Sequence, residues 1–168
     1  MYPQADRAGT DTTYAQEDDL FLNTGESFVR RSLGSTGVSR ALTRGDLDGD
    51  GDLDLVSLQV DGAVLVHENV AAKWRWLRVA PERGLGARVE VRLGEGVSRS
   101  AQVVGSAGYQ AAQPETAHFG LGTLERVPEV IVRWPGGAQV VLRDVPTGGV
   151  LEVPRPSAGE QTEGSESR

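Results

Sequence analysis

The stretch GDLDGDGDLDLV, residues 45–56, decides how this chain is interpreted. Aspartate stands at every second position from 46 to 54, with glycine at 49 and 51, and an apolar run follows. Two carboxylates about 4 Å apart repel each other by about 1 kcal/mol in water, and by more at a lower effective dielectric. This aspartate loop, residues 46–54, must therefore stay solvated or hold a cation that offsets the repulsion.

Calcium is the cation that the spacing favours. It takes about six to eight oxygen ligands, which carboxylates and a backbone carbonyl can supply. Glycine lets the loop curl without a side-chain clash, so that alternate carboxylates can point at one centre. The predicted side-chain ligands are Asp46, Asp48, Asp50 and Asp54. Asp52 is expected to offer its main-chain carbonyl.

The loop is not an EF-hand, the helical calcium-binding loop. An EF-hand needs a bidentate Glu at position 12, where this chain has Ser57, and the residues that follow are strand-like rather than helical. Magnesium is less favoured because it demands strict octahedral geometry and keeps its waters. The alternative to a metal site is a solvated acidic turn, but strict alternation with glycines at the bends favours calcium.

The composition and the charge distribution exclude several classes of protein. The net charge is −7 over 168 residues, and it is concentrated in residues 1–19 and in the aspartate loop. The rest is nearly neutral and has no basic stripe, which argues against a nucleic-acid partner. No apolar run is long enough to span a membrane. Without cysteine there can be no disulfide.

The pattern along the chain is typical of an all-β fold. Short runs of strand length, rich in β-branched residues, alternate with turn residues about every ten positions, and no segment has a helical period. An Asp61-Gly62 hairpin is predicted between two of these runs. The predicted strands are 20–23, 27–33, 53–60, 63–70, 74–80, 87–93, 97–104, 129–134, 138–145 and 149–153.

Two groups of motifs resemble known families. DLFLNTGESF (19–28) followed by RGDLDGDGDLDLV (44–56) resembles the FG-GAP/VCBS repeat, the blade unit of integrin-α-like β-propellers. The downstream part is similar to the ASPIC/UnbV domain that follows such repeats in cartilage acidic protein-like proteins. The motifs of that part are WLRV (76–79), GLGARVEV (84–91), GSAGYQ (105–110), HFGLG (118–122) and VIVRWPGG (130–137).

The resemblance implies a partial propeller blade with a calcium loop, followed by a small β-sandwich or barrel-like domain. The expected organisation is a disordered arm (1–17), an FG-GAP/VCBS-like repeat (18–70), an ASPIC/UnbV-like domain (71–154) and a disordered tail (155–168). It further implies a secreted or surface protein with a binding or structural role and no established catalytic residues. Since one blade cannot close a propeller and would leave strand edges unpaired, we expect the chain to dock against further blades.

Trp74, Trp76 and Arg78 form a possible ligand face. On a strand they lie on the same side, where they could stack on sugar rings or join a protein interface. The alternative is a buried aromatic seam between the two modules.

Two sets of residues would be catalytic if the protein were an enzyme. Glu115 and Glu125 could act as paired carboxylates in glycoside hydrolysis. A triad of Ser106, His118 and Asp144 is the other possibility, although the chain lacks the G-x-S-x-G elbow.

The sequence thus predicts a non-catalytic, calcium-stabilised β module that mediates binding or adhesion, with a protein or carbohydrate partner. It is expected to be extracellular or periplasmic, because cytosolic calcium would barely fill such a site. Since no signal peptide opens the chain, it is expected to be the C-terminal part of an exported protein. The alternatives are a carbohydrate-active enzyme or its accessory domain, and a calcium-responsive regulatory module.

Overall fold

The computed structural model describes residues 15–60, 64–70, 74–157 and 162–164. Within these ranges the chain forms β-strands and no helix, which confirms the all-β prediction. None of the sheets formed by these residues closes into a barrel. The described residues also contain no helix that could cross a membrane. The predicted Asp61-Gly62 turn lies outside the described residues.

The N-terminal part, residues 15–70, forms two small antiparallel sheets. The first pairs two strands, β1 and β2, and the second has the order β3-β4-β5. The aspartate loop connects β3 to β4, so its ends are held next to each other by the pairing of Gly45 with Asp54. The bounds are β1 Gln16–Asn23, β2 Phe28–Gly37, β3 Ser39–Gly45, β4 Asp54–Gln59 and β5 Val64–His67.

The C-terminal part contains a three-stranded and a five-stranded sheet, with a short hairpin beside them. The three-stranded sheet has the order β11-β6-β14, in which β6 pairs antiparallel with β11 and parallel with β14. The five-stranded sheet has the order β15-β13-β12-β7-β8, and β9 and β10 form the hairpin. The bounds are β6 Arg75–Pro81, β7 Arg88–Gly94, β8 Val97–Gln102, β9 Ser106–Gly108, β10 Ala111–Ala112, β11 Ala117–Gly122, β12 Arg126–Arg133, β13 Gln139–Pro146, β14 Gly149–Val153 and β15 Thr162–Gly164.

The hydrophobic core that the described residues form lies in the C-terminal part. Alternate residues of β6, including Leu77 and Val79, pack with inward-facing residues of the five-stranded sheet such as Val91 and Val130 in one buried cluster. The period of two places every second side chain of a strand in the core. Within the described residues of the N-terminal part, by contrast, the buried side chains are polar, and no hydrophobic one is fully buried.

Some strands are absent from the prediction because their sequences lack the usual features. β3 (SRALTRG) is polar and poor in β-branched residues, and it is a strand because it pairs with β4 along its length. β11 (AHFGLG) is glycine-rich, and it is held by its pairing with β6. Pairing partners distant in sequence override weak local propensity.

Strands also reach into both segments that are predicted to be disordered. β1 begins at Gln16, where it pairs with Gly37 of β2, and Glu17 forms an ion pair with Arg30. At the other end, β15 pairs in parallel with the edge strand β13. In both cases polar residues, which have little strand propensity of their own, form a strand because a neighbouring strand pairs with their backbone.

Candidate metal centre

The aspartate loop curls through hydrogen bonds between its own side chains and backbone. The Gly49 amide donates to Asp46 Oδ1 (2.8 Å), the Asp50 amide to Asp48 Oδ1 (3.1 Å) and the Asp52 amide to Asp50 Oδ1 (3.0 Å). Gly49 and Gly51 have φ values of 81° and 95°, a region that other residues rarely adopt. The loop therefore needs glycine at these two positions to turn in this way.

Three of the predicted ligands are brought together by this turn. Oxygen atoms of Asp46, Asp48 and Asp50 lie within 4.8 Å of one another. Asp48 is exposed, whereas Asp46 and Asp50 are partly buried. Hard oxygen donors at this spacing are the ligand type that calcium prefers.

Asp52 has a carboxylate without a partner. Both of its oxygens are buried and accept no hydrogen bond from any residue that the structure describes. Burial raises the pKa of Asp52, and the negative charges of Asp50, Asp54, Asp48 and Asp46 raise it further. A cation in the loop would relieve this repulsion, so the orphaned carboxylate fits a metal site.

Asp54 has the opposite environment. Its oxygens accept hydrogen bonds from the backbone amides of Asn69 and Leu47, both at 2.9 Å. These two bonds lower the pKa of Asp54 despite its burial. The carboxylate thus ties the loop to the chain after β5, and since each carboxylate oxygen has two lone pairs, it retains the capacity to bind a metal.

The loop is joined to the C-terminal part by an ion pair that the sequence did not reveal. Arg78 of β6 donates to Asp46 Oδ2 at 2.6 Å, and the Asp46 side chain is only 3% exposed. The first carboxylate of the loop is therefore shared between the acidic cluster and a cation 32 residues later. Nothing in the local pattern could have identified this partner.

A second contact is made by glycine and tryptophan. A Cβ atom at Gly51 would lie 1.6 Å from Nε1 of Trp76, so the indole packs directly against the loop backbone. Trp76 also stacks on His118, with ring centroids 5.8 Å apart, and the Arg78 guanidinium lies 5.4 Å from its ring. The HFGLG motif thus contributes His118 to the seam between the two parts.

The possible ligand face is divided by the structure. Trp76 and Arg78 share one face of β6, opposite Leu77 and Val79, and this face is directed at the aspartate loop. Trp74, just before β6, is 60% exposed. Trp76 therefore lies in the seam between the two parts, and of the two tryptophans of this face Trp74 is the one that remains open to solvent.

The residues considered for catalysis have separate partners. Glu125 lies 3.9 Å from Arg75, and Glu115 is exposed. Ser106 donates to the Gly108 carbonyl and Asp144 pairs with Arg126, so their described contacts do not assemble a triad.

His118, the remaining candidate catalytic residue, stacks on Trp76 and lines the same groove as Asp46. Its Nδ1 is buried with no partner among the described residues. Burial lowers the pKa of His118, as do Arg78 and Arg44, while Asp46 acts in the opposite direction.

Comparison with known proteins confirms the ASPIC/UnbV part of the resemblance. Residues 80–161 match the family model described as ASPIC and UnbV. The chain is 31% identical to human cartilage acidic protein 1 over 144 residues, which cover 79% of this chain and 21% of that protein. It is 30% identical to the mouse protein of the same name over 128 residues, which cover 71% of this chain and 19% of that protein. The chain thus spans about a fifth of the length of these curated relatives.

Proposed function

We propose that the protein is an extracellular, non-catalytic β module in which a calcium ion in the aspartate loop has a structural role. The convergence of Asp46, Asp48 and Asp50 is the observation that carries this proposal. Calcium would neutralise their repulsion and that of Asp52, whose carboxylate has no partner among the described residues. The ion supplies charge compensation and no chemistry.

The metal would be held by residues with distinct roles. Asp46, Asp48 and Asp50 offer side-chain oxygens, and Asp54, at the end of the loop, adds a further carboxylate. Asp52 offers its carbonyl. Loops of this kind in extracellular modules bind calcium at about 10⁻⁴ to 10⁻³ M, which suits an environment rich in calcium.

The proposed domain organisation assigns residues 18–70 to a single propeller-type blade and 71–154 to the ASPIC/UnbV-like domain. The N-terminal part supports docking against further blades, because none of its described hydrophobic side chains is fully buried. Large side chains in it remain exposed, among them Phe21, Phe28, Val64 and Val66. Further blades packed against these strands would remove such apolar side chains from water.

Calcium titration of the full chain tests the metal. At a concentration 100 times the dissociation constant, an ion that binds only the folded state stabilises it by about 2.7 kcal/mol. We expect calorimetry to show uptake in the sub-millimolar to millimolar range, and we expect a calcium-dependent rise in the melting temperature. Magnesium should produce a smaller rise because it demands strict octahedral geometry and gives up its waters reluctantly.

Two substitutions at the centre and one outside it complete the test. Asp48→Asn and Asp50→Asn should each abolish most of the calcium-dependent rise. Asp144→Asn makes the same chemical change at an exposed aspartate that pairs with Arg126, and it should leave the rise intact. An unchanged rise in both loop variants, or no response of the parent protein to millimolar calcium, would refute the proposal.

A further inference from the structure

A groove of about 280 Å³ lies where the N-terminal part meets the C-terminal part. One wall is the end of β3 and the start of the aspartate loop, with Arg44 and Leu47. The other is formed by the segment before β11, with Pro114, and by His118. The groove therefore exists only when the two parts are in contact, and none of the predicted functions includes it.

Arg44 is the uncompensated charge in this groove. Its guanidinium makes no hydrogen bond or ion pair with any residue in the described ranges, although its backbone is held in β3 by pairing with β4. Arg78 also lines the groove, but Asp46 neutralises it at 2.6 Å. The lining thus retains one net positive charge in a protein whose net charge is −7. A single unpaired guanidinium matches a monoanion, and a carboxylate is its geometrically best partner because it can accept two parallel hydrogen bonds.

The rest of the lining is apolar or neutral. Leu47 is 57% exposed, and Leu53, Val56 and Pro114 add aliphatic surface around it. Burial lowers the pKa of His118, so its imidazole adds no positive charge to the lining near pH 7. A neutral imidazole can still donate or accept a hydrogen bond. A ligand that fits this lining carries a carboxylate next to an aliphatic group.

A peptide satisfies that description better than a sugar. Sugar rings usually stack on an open aromatic face, but the only aromatic ring lining this groove among the described residues is that of His118, and Trp76 stacks on it. The Trp76 ring is itself covered by Gly51. Aliphatic walls beside a guanidinium instead suit an acidic side chain with an apolar neighbour.

We propose that this groove binds a peptide segment of a partner protein, with an acidic side chain on Arg44 and an adjacent aliphatic side chain against Leu47 and Pro114. This inference goes beyond the proposed calcium role, since Arg44 is not among the metal ligands. Its test is run at one fixed calcium concentration, so failure of the metal proposal would leave it standing.

The probes are two blocked dipeptides, acetyl-Leu-Glu-amide and acetyl-Leu-Gln-amide, titrated into the isotopically labelled full chain. Chemical shifts of the Arg44 side chain and the His118 ring report binding. We expect the Glu peptide to bind at least about tenfold more tightly than the Gln peptide, because only the carboxylate carries an opposite charge and accepts two parallel hydrogen bonds from the guanidinium. Equal affinity for the two peptides, or no shift at these residues, would overturn the inference.

Substitutions locate the contact. Arg44→Gln should reduce binding of the Glu peptide to the level of the Gln peptide, and Arg44→Lys should retain part of the preference. Arg126→Gln removes a surface guanidinium that pairs with Asp144 elsewhere, and it should change nothing. An unaltered preference in Arg44→Gln, at an unchanged melting temperature, would contradict the assignment. Tighter binding of glucuronate than of the Glu peptide would overturn the choice of a peptide as the occupant.

Discussion

At the scale of single residues, Asp52 and Asp54 show how far position governs a carboxylate. The two belong to the same loop, but Asp54 accepts two backbone hydrogen bonds and Asp52 accepts none from described residues. The pKa of Asp54 is lowered mainly by the amide of Asn69, and the pKa of Asp52 is raised mainly by burial. One ionised side chain therefore stabilises the fold and the other destabilises it.

We expect Asp52→Asn to raise the melting temperature of the calcium-free protein near neutral pH. The folded protein holds the Asp52 proton more tightly than the unfolded chain does. The free-energy penalty of ionising Asp52 in the folded protein is therefore absent at pH values below the ordinary aspartate pKa. The penalty grows as the pH rises toward the raised pKa and is complete above it. The gain should therefore shrink as the pH is lowered, which thermal unfolding in a chelating buffer can follow.

The matched control is Asp54→Asn. The lowered pKa means that Asp54 contributes stability above the ordinary aspartate pKa and loses it as the pH falls through the folded-state value. This variant should melt at a lower temperature near neutral pH, with a difference that disappears in acid. Melting temperatures that shift in the same direction for both variants would contradict the assignment.

At the scale of elements, the contact between the aspartate loop and β6 depends on the missing side chain of Gly51. Its φ is 95°, and a Cβ atom added to it would lie only 1.6 Å from Trp76 Nε1, so the position demands glycine for two separate reasons. Gly49 makes only the first demand, since its φ is 81° and the space that a Cβ would fill is open. Substituting Gly49 and Gly51 in turn therefore separates the cost of backbone strain from the cost of the packing clash.

Gly49→Ala should destabilise the protein by about 1–2 kcal/mol, the cost of a left-handed conformation for a non-glycine residue. Gly51→Ala should cost about 1–3 kcal/mol more, since the indole stacks on His118 and cannot move freely. Chemical denaturation measures both. A Gly51→Ala/Trp76→Ala double variant should show a smaller loss than the sum of the single ones. Equal losses for the two alanine variants would mean that the packing contact is absent.

At the scale of the whole molecule, the core belongs to one part and the proposed metal site to the other. The buried hydrophobic cluster runs from Leu77 to Val153, while the N-terminal part is attached through contacts that include Asp46–Arg78, Gly51–Trp76 and the hydrogen bond from Thr43 to the Ala112 carbonyl. The order of the loop and the attachment of the two parts are therefore linked through Asp46. The linkage predicts how calcium should act on a variant that breaks the ion pair.

Arg78→Gln should destabilise the calcium-free protein by about 1–3 kcal/mol, because the nearly buried Asp46 loses its counterion. Calcium should restore part of this loss by supplying the missing charge, so the calcium-dependent stabilisation should exceed that of the parent protein. Arg75→Gln is the control on the same strand: its 3.9 Å pair with exposed Glu125 should be worth about 1 kcal/mol or less, with or without calcium. A loss for Arg78→Gln that calcium does not change would contradict the linkage.

The sequence by itself determined the all-β class, the position of the aspartate loop and most strands, because alternation, turn residues and charge spacing act over a few neighbouring residues. Only the tertiary structure decided that β3 and β11 are strands, that Asp46 is shared with Arg78, and that Trp76 faces Gly51. These features depend on backbone pairing and side-chain contacts between residues far apart in the chain. Their energies arise only after the strands have assembled, and no local pattern encodes them.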